Sequence, residues 1–260
     1  MAILDPRHKA ERISAIFRAR SPIDILPAEL IPADLDEAYR VRAAYEAIEI
    51  AAGRGDVAGY KIGLTTPIMQ RLCGVDEPCY GAMFASEIRH SPAEVRVSDF
   101  CRVGIETEIA VRLGADLDSG ARAAVEAAVE NCAAAIEVLE DLCHDYKRLT
   151  ATSMVAGNVW NAGCVLGAPV TEWRKLDLAT VTARLSIDGA EIGSGKGGDV
   201  MGNPLNALAW LADKLAAAGT PLKRGMVVMT GSMVPIQCPK AGSRAVVEIS
   251  GLGRAEFIAI

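Results

Sequence analysis

The sequence predicts an α+β protein, with a helical segment over residues 1–55 and a mixed β core over residues 56–260. Three observations carry that expectation. Apolar residues recur at helical spacing in the first fifty or so positions, then give way to short β-like runs. Gly, Pro and Asp separate those runs. Only two helical stretches interrupt them, too few for an alternating strand–helix wind around a parallel sheet.

In chain order, residues 6–20 place Ile13, Ile16 and Phe17 on one helical face. Pro22, Pro27 and Pro32 then hold the chain out of helix. "DLDEAYRVRAAYEAIEIAAGRG" begins a second helix, with Asp34 as N-cap, Glu37 three residues on, and glycines to stop it. Strands are expected at 57–63, 94–98, 104–113, 162–167, 180–187, 226–230, 245–249 and 254–259. The helices between them are expected at 120–132 and 203–219. The second is well bounded, by Asn203 as N-cap, Pro204 at the first helical position and Gly219 as C-cap.

Composition narrows the function. Lys and Arg number 27 against 33 Asp and Glu, for a net charge of −6, and the cations are dispersed. That argues against nucleic acid or an anionic membrane as the principal partner and leaves a small molecule or a protein. The first twenty residues carry Asp5, Arg7, Lys9, Glu11 and Arg12, so they lack the apolar core of a secretory signal. No run approaches the roughly 18–20 apolar residues of a membrane helix, and the cytoplasm is the expected location. The seven cysteines, at 73, 79, 101, 132, 143, 164 and 238, form no close CxxC pair and indicate neither a disulfide framework nor a zinc site.

"GIETEIA", residues 104–110, sets Glu106 and Glu108 two apart in an apolar run, so a strand aims both at one face. Water on that face would be one explanation, since Glu is mostly exposed. "AAAIEVLEDL" places Glu137 in another apolar run, and three carboxylates on β segments match the oxygen ligands of a hard divalent cation, which would offset their repulsion. Lys61 in "GYKIGLT" is flanked by apolar positions; it is either a surface strand residue or a cation near the metal. "GSGKGGDVMGNP" fits neither GxxxxGK[ST] nor a strand-borne GxGxxG and reads as a tight active-site loop rather than a phosphate cradle.

These motifs carry a resemblance. "GYKIGLT", "PCYGAMF", "GIETEIAVRLG", "AAIEVLED", "GNVWNAGCVLG", "MGNPLNALAWLADKLAAAG" and "LKRGMVVMTGS" occur in the order and spacing of the 2-hydroxypenta-2,4-dienoate hydratase and 4-oxalocrotonate decarboxylase family, within the fumarylacetoacetate hydrolase superfamily. The similarity covers roughly residues 35–260. It implies a mixed β-roll core behind the helical segment, a Mg²⁺ or Mn²⁺ cofactor, and a 2-oxo or 2-hydroxydienoic acid substrate. It makes Glu106, Glu108 and Glu137 the metal ligands, Lys61 a catalytic and substrate-binding residue, and Ser232 and Asn158 substrate-binding residues. It further implies a homo-oligomer, with association to a pathway partner enzyme as a further expectation.

The chain departs from the family pattern at Cys79, where hydratases usually carry an acid, and at Gly157, which replaces the acid before Asn158. The expected activity is hydration of a 2-hydroxy-2,4-dienoate in aromatic-compound catabolism. Decarboxylation of a 2-oxo-enedioate, or a related C–C cleavage, is the alternative; the non-enzyme alternative is an inert β-rich binding protein. Cys79 reads as a space-filling thiol rather than a nucleophile, and His144 as a loop residue rather than a base.

Overall fold

The computed structural model describes residues 4–260, so the first three residues of the expected helical segment lie outside it. Helix α1 (Pro6–Ala19) starts at Asp5, whose carboxylate accepts from the Arg7 and His8 amides. Helix α2 (Leu35–Glu49) starts at Asp34, which accepts from Glu37 N, while Glu37 reaches back to the Ala33 amide. The two helices enclose a cluster of their own, with Ile13, Leu30, Val41 and Tyr45 buried.

Beyond them come β1 (Val57–Gly63), α3 (Pro67–Leu72), β2 (Cys79–Phe84), β3 (Ile88–His90), β4 (Ala93–Val95) and β5 (Val103–Leu113). Then follow α4 (Arg122–Ala128), β6 (Val129–Glu140), α5 (Ala151–Ala156), β7 (Asn161–Leu166), β8 (Thr182–Ile187) and β9 (Ala190–Lys196). Helix α6 (Pro204–Ala217), β10 (Val227–Ser232), β11 (Arg244–Ile249) and β12 (Gly253–Ala259) complete the chain.

The strands form a seven-stranded mixed sheet ordered β2-β1-β10-β5-β6-β7-β3 and a five-stranded sheet ordered β4-β12-β11-β8-β9. Side chains of both sheets and α6 share one apolar core, in which Ile109, Val138, Leu185, Leu208, Val247 and Phe257 are buried. β1 is parallel to β10, and β10, β5, β6 and β7 are successively antiparallel, so the first and last parts of the chain meet beside the long β5–β6 pair.

The expected helix over 120–132 is corrected: helix ends at Ala128, and Val129 begins the twelve-residue strand β6. Its alanine-rich sequence fits either conformation, and the eleven-residue pairing with β5 decides for strand. The strand expected at 94–98 ends at Val95, and a 3-10 turn follows at Val97–Asp99. Strands β2, β3 and β9 and the six-residue helices α3 and α5 add to the expected elements; all are short, which weakens any periodic signal.

Candidate active site

The β5–β6 ladder sets Glu106 directly opposite Glu137, and the β5–β10 pairing sets Glu108 opposite Ser232. Alternation along the strands turns the three carboxylates to one face. One oxygen of each lies within 4.8 Å of the others, the closest such gathering of acids among the described residues. Glu108 and Glu137 are wholly buried; Glu106 faces a cavity.

Each buried acid is half satisfied. Lys61 Nζ lies 3.1 Å from Glu137 Oε1, which also accepts from Asn161 Nδ2 at 3.1 Å. Glu108 Oε2 accepts from the Gly231 amide at 2.7 Å. Glu108 Oε1 and Glu137 Oε2 are buried with no hydrogen-bond partner. Orphaned carboxylate oxygens are costly, and three hard oxygen donors converging on one point fit a divalent cation such as Mg²⁺ or Mn²⁺.

The electrostatics agree. Burial, then the neighbouring Glu137 and Glu106, holds Glu108 well above the usual carboxylate range, with Lys61 opposing. Burial pushes Glu106 up to about 7, against the pull of Lys61 and with help from Glu137. For Lys61 burial works against the charge, but Glu137, then Glu106 and Glu108, outweigh it and hold the ammonium above its ordinary range. In the metal-free protein the glutamates thus favour the ammonium form of the lysine.

The backbone has two accommodations here. β10 shifts register between Met229 and Ser232, and Gly231 at φ +127 turns its N–H toward Glu108. A Cβ on Gly231 would come within 2.6 Å of the Thr65 side chain. On β1, a Cβ on Gly63 would stand 3.0 Å from Val159 Cγ1 and 3.4 Å from the Cys79 sulfur, so glycine lets β1 pack closely against both.

A cavity of about 510 Å³ opens over Lys61, Glu106 and Ser232. Leu64, Met69, Leu149, Val159, Trp160 and Ile236 contribute an apolar wall. Ser232, also in the lining, donates its Oγ hydroxyl to Val234 O at 2.7 Å, which leaves its oxygen free to accept. Asp199, from the glycine-rich loop, is the further acid in the lining and accepts from the Lys196 amide at 2.7 Å.

Of the residues the sequence singled out, Lys61, Glu106, Glu108, Glu137 and Ser232 come together. Asn158 does not: it is absent from the lining, and its amide closes on the backbone of Ala82, accepting from Ala82 N at 2.7 Å and donating to Ala82 O at 2.9 Å. Both ends of the amide are used by β2, so in this structure Asn158 braces the turn against Ala82. Cys79 is buried with its thiol pushed up to about 12, chiefly by burial, which leaves no thiolate for nucleophilic work. His144 is buried against Trp160, ring to ring at 4.8 Å, and burial holds it below its ordinary range. Asn161 and Asp199 were not singled out from sequence. "GNVWNAG" and "GGDVMGNP" contain them but give no spacing that would point to either.

Residues 75–257 match the family described as fumarylacetoacetate (FAA) hydrolase C-terminal. The chain is 38% identical over 205 residues to a 2-keto-4-pentenoate hydratase of Burkholderia vietnamiensis, covering 77% of this chain and 78% of that one. It is 34% identical over 252 residues to a 2-keto-4-pentenoate hydratase of Paraburkholderia phymatum, covering 95% of each. The solved structure of 4-oxalocrotonate decarboxylase from Pseudomonas putida G7, complexed with magnesium and adipate, superposes with a TM-score of 0.89 at 25% identity, over 98% of this chain and 97% of that one.

Proposed function

The chain belongs to the fumarylacetoacetate hydrolase family, and on that premise we propose that it is a divalent-metal-dependent hydratase acting on a 2-hydroxy-2,4-dienoate in aromatic-compound catabolism. The observation that carries the reading is the convergence of Glu106, Glu108 and Glu137, with orphaned oxygens, beside the Lys61 ammonium at the floor of an apolar cavity.

Glu106, Glu108 and Glu137 would hold Mg²⁺ or Mn²⁺, which when bound supplies a Lewis acid for the oxygens of a 2-oxo acid. The protein's own groups do the rest. Lys61, which lines the cavity, pairs with the substrate carboxylate, and its charge stabilises negative charge as the dienol gives up its 2-hydroxyl proton and takes one at C5 to become the 2-oxo-enoate. Water then adds at C4, a proton reaches C3, and a 4-hydroxy-2-oxo acid results. Asp199, the further carboxylate of the lining, supports proton transfer to and from water. Ser232 orients the substrate through its free lone pairs. The apolar walls limit bulk water to the reacting molecule.

The likeness to 4-oxalocrotonate decarboxylase supports a second reading, decarboxylation of a 2-oxo-enedioate. The test offers 2-hydroxypenta-2,4-dienoate and a 2-oxo-enedioate to the protein with Mg²⁺ or Mn²⁺ and identifies products by mass. Gain of one water by the dienoate supports the hydratase; CO₂ release from the enedioate without hydration establishes the decarboxylase instead. We place the protein in the cytoplasm as a homo-oligomer. Among the described residues no helix is long and apolar enough to cross a membrane, and exposed Ile68 and Leu72 on α3 give another copy an apolar surface to cover.

A further inference from the structure

The cavity wall is shaped by an unusual turn. Asn158, Val159 and Trp160 lie consecutively in the left-handed region, at φ +55, +50 and +56. Side chains with a Cβ rarely adopt this conformation, and for β-branched Val159 it is an outlier. Two restraints hold it: the paired hydrogen bonds of Asn158 to Ala82, and the stacking of Trp160 on His144. The Trp160 ring also stands 6.1 Å from that of Tyr146, whose hydroxyl donates to Asp141 at 2.6 Å. The outcome is that Val159 and Trp160 both face the cavity. Strain of this kind persists where the surroundings over-determine it, commonly at a ligand site.

The charges of the lining are equally selective. Lys61, Glu106 and Asp199 are its charged members, and Lys61, paired with Glu137, is taken up by the carboxylate at the substrate's near end. Among the described residues no other cation lines the cavity to receive a second carboxylate, and Asp199 would repel one. At about 510 Å³ the space also exceeds what a five-carbon acid fills.

Resting on the hydratase reading above, we propose that the apolar wall is a subsite for an uncharged alkyl or aryl substituent on the far end of the dienoate, and that Val159 and Trp160 are its specificity-determining residues. The turn braced by Asn158 sets the subsite's shape, and Leu149 stands at its wall.

The test is calorimetric binding of pyruvate, 2-oxohexanoate and 2-oxoadipate to the Mg²⁺-loaded protein, followed by turnover of dienoates bearing methyl, phenyl or carboxylate tails. Each buried methylene is worth about fourfold. We expect 2-oxohexanoate to bind at least tenfold tighter than either pyruvate or 2-oxoadipate, and kcat/KM for the apolar tails to exceed that for the carboxylate tail by at least tenfold. Trp160→Ala should reduce the advantage of 2-oxohexanoate over pyruvate to threefold or less. Leu149→Arg, on a half-buried loop where a long cation can reach water, should move the preference toward 2-oxoadipate by tenfold or more. Equal affinities within threefold, or tighter binding of 2-oxoadipate by the unaltered protein, would overturn the subsite. Absence of hydration with the binding order intact would instead overturn the hydratase reading alone.

Discussion

At Lys61 burial and charge pull in opposite directions, and the three glutamates win. Replacing this residue separates substrate stabilisation from metal holding, because the carboxylate donors remain. Lys61→Met should lower turnover by about 10²-fold or more, the scale of removing one preorganised electrostatic stabiliser, while calorimetric Mg²⁺ affinity stays near that of the unaltered protein. Full activity in that variant would remove β1 from the active site. Asn158 calls for a different experiment. Its two hydrogen bonds to Ala82 are buried and its backbone is left-handed, so Asn158→Ala should destabilise the fold by about 2–3 kcal/mol in urea titrations. Metal affinity should change little, since Asn158 touches none of the glutamates. The convergence of the three acids was legible in the sequence because alternation in two strands constrains which way they point. Nothing in the sequence signalled that the Asn158 amide turns to Ala82, because an amide in a motif shows nothing of which backbone it faces.

At the scale of elements, the pairing of β5 with β6 and β10 does the assembling. Glu106→Gln and Glu108→Gln each remove a charge from the cluster without altering the ladder, so each should weaken Mg²⁺ binding by calorimetry while circular dichroism remains unchanged. Gly231 is the point where β10 joins the site. Gly231→Ala would force a Cβ against Thr65 at an unfavourable φ, costing about 1–3 kcal/mol, and would draw the amide away from Glu108. Thermal unfolding with and without Mg²⁺ checks this: both the melting temperature and the Mg²⁺-induced rise should fall. The extent of β6 was the least legible feature. "AAVENCAAAIEV" has alanines enough for helix, and strand is chosen by eleven partners on β5 that are distant in sequence from any local signal.

Over the whole molecule, metal and protons compete for one buried cluster. Glu106 titrates near 7 in the folded chain but near 4.3 when unfolded, and Glu108 is raised in the same direction. A raised carboxylate favours the folded state when protonated. The metal-free protein should therefore be most stable below about pH 4.3 with respect to these groups, and should lose the Glu106 contribution as pH rises through about 7. Mg²⁺ should accordingly raise the melting temperature more at pH 8 than at pH 6; an equal rise at both would place the metal elsewhere. The C-caps of α2 and α6 fall at Ile50 and Ala218 rather than at the expected glycines. The sequence by itself determined the division between helical segment and β core, the N-caps of α2 and α6, and the presence of three acids with a lysine in apolar runs. Those are local facts, written in periodicity and spacing. Only the tertiary structure decided that Glu106 faces Glu137 across a ladder, that a bulge brings Gly231 to Glu108, and that a left-handed turn lines the cavity with Val159 and Trp160. Each depends on contacts between residues far apart in the chain, whose energies set register and strain where local preference leaves both open.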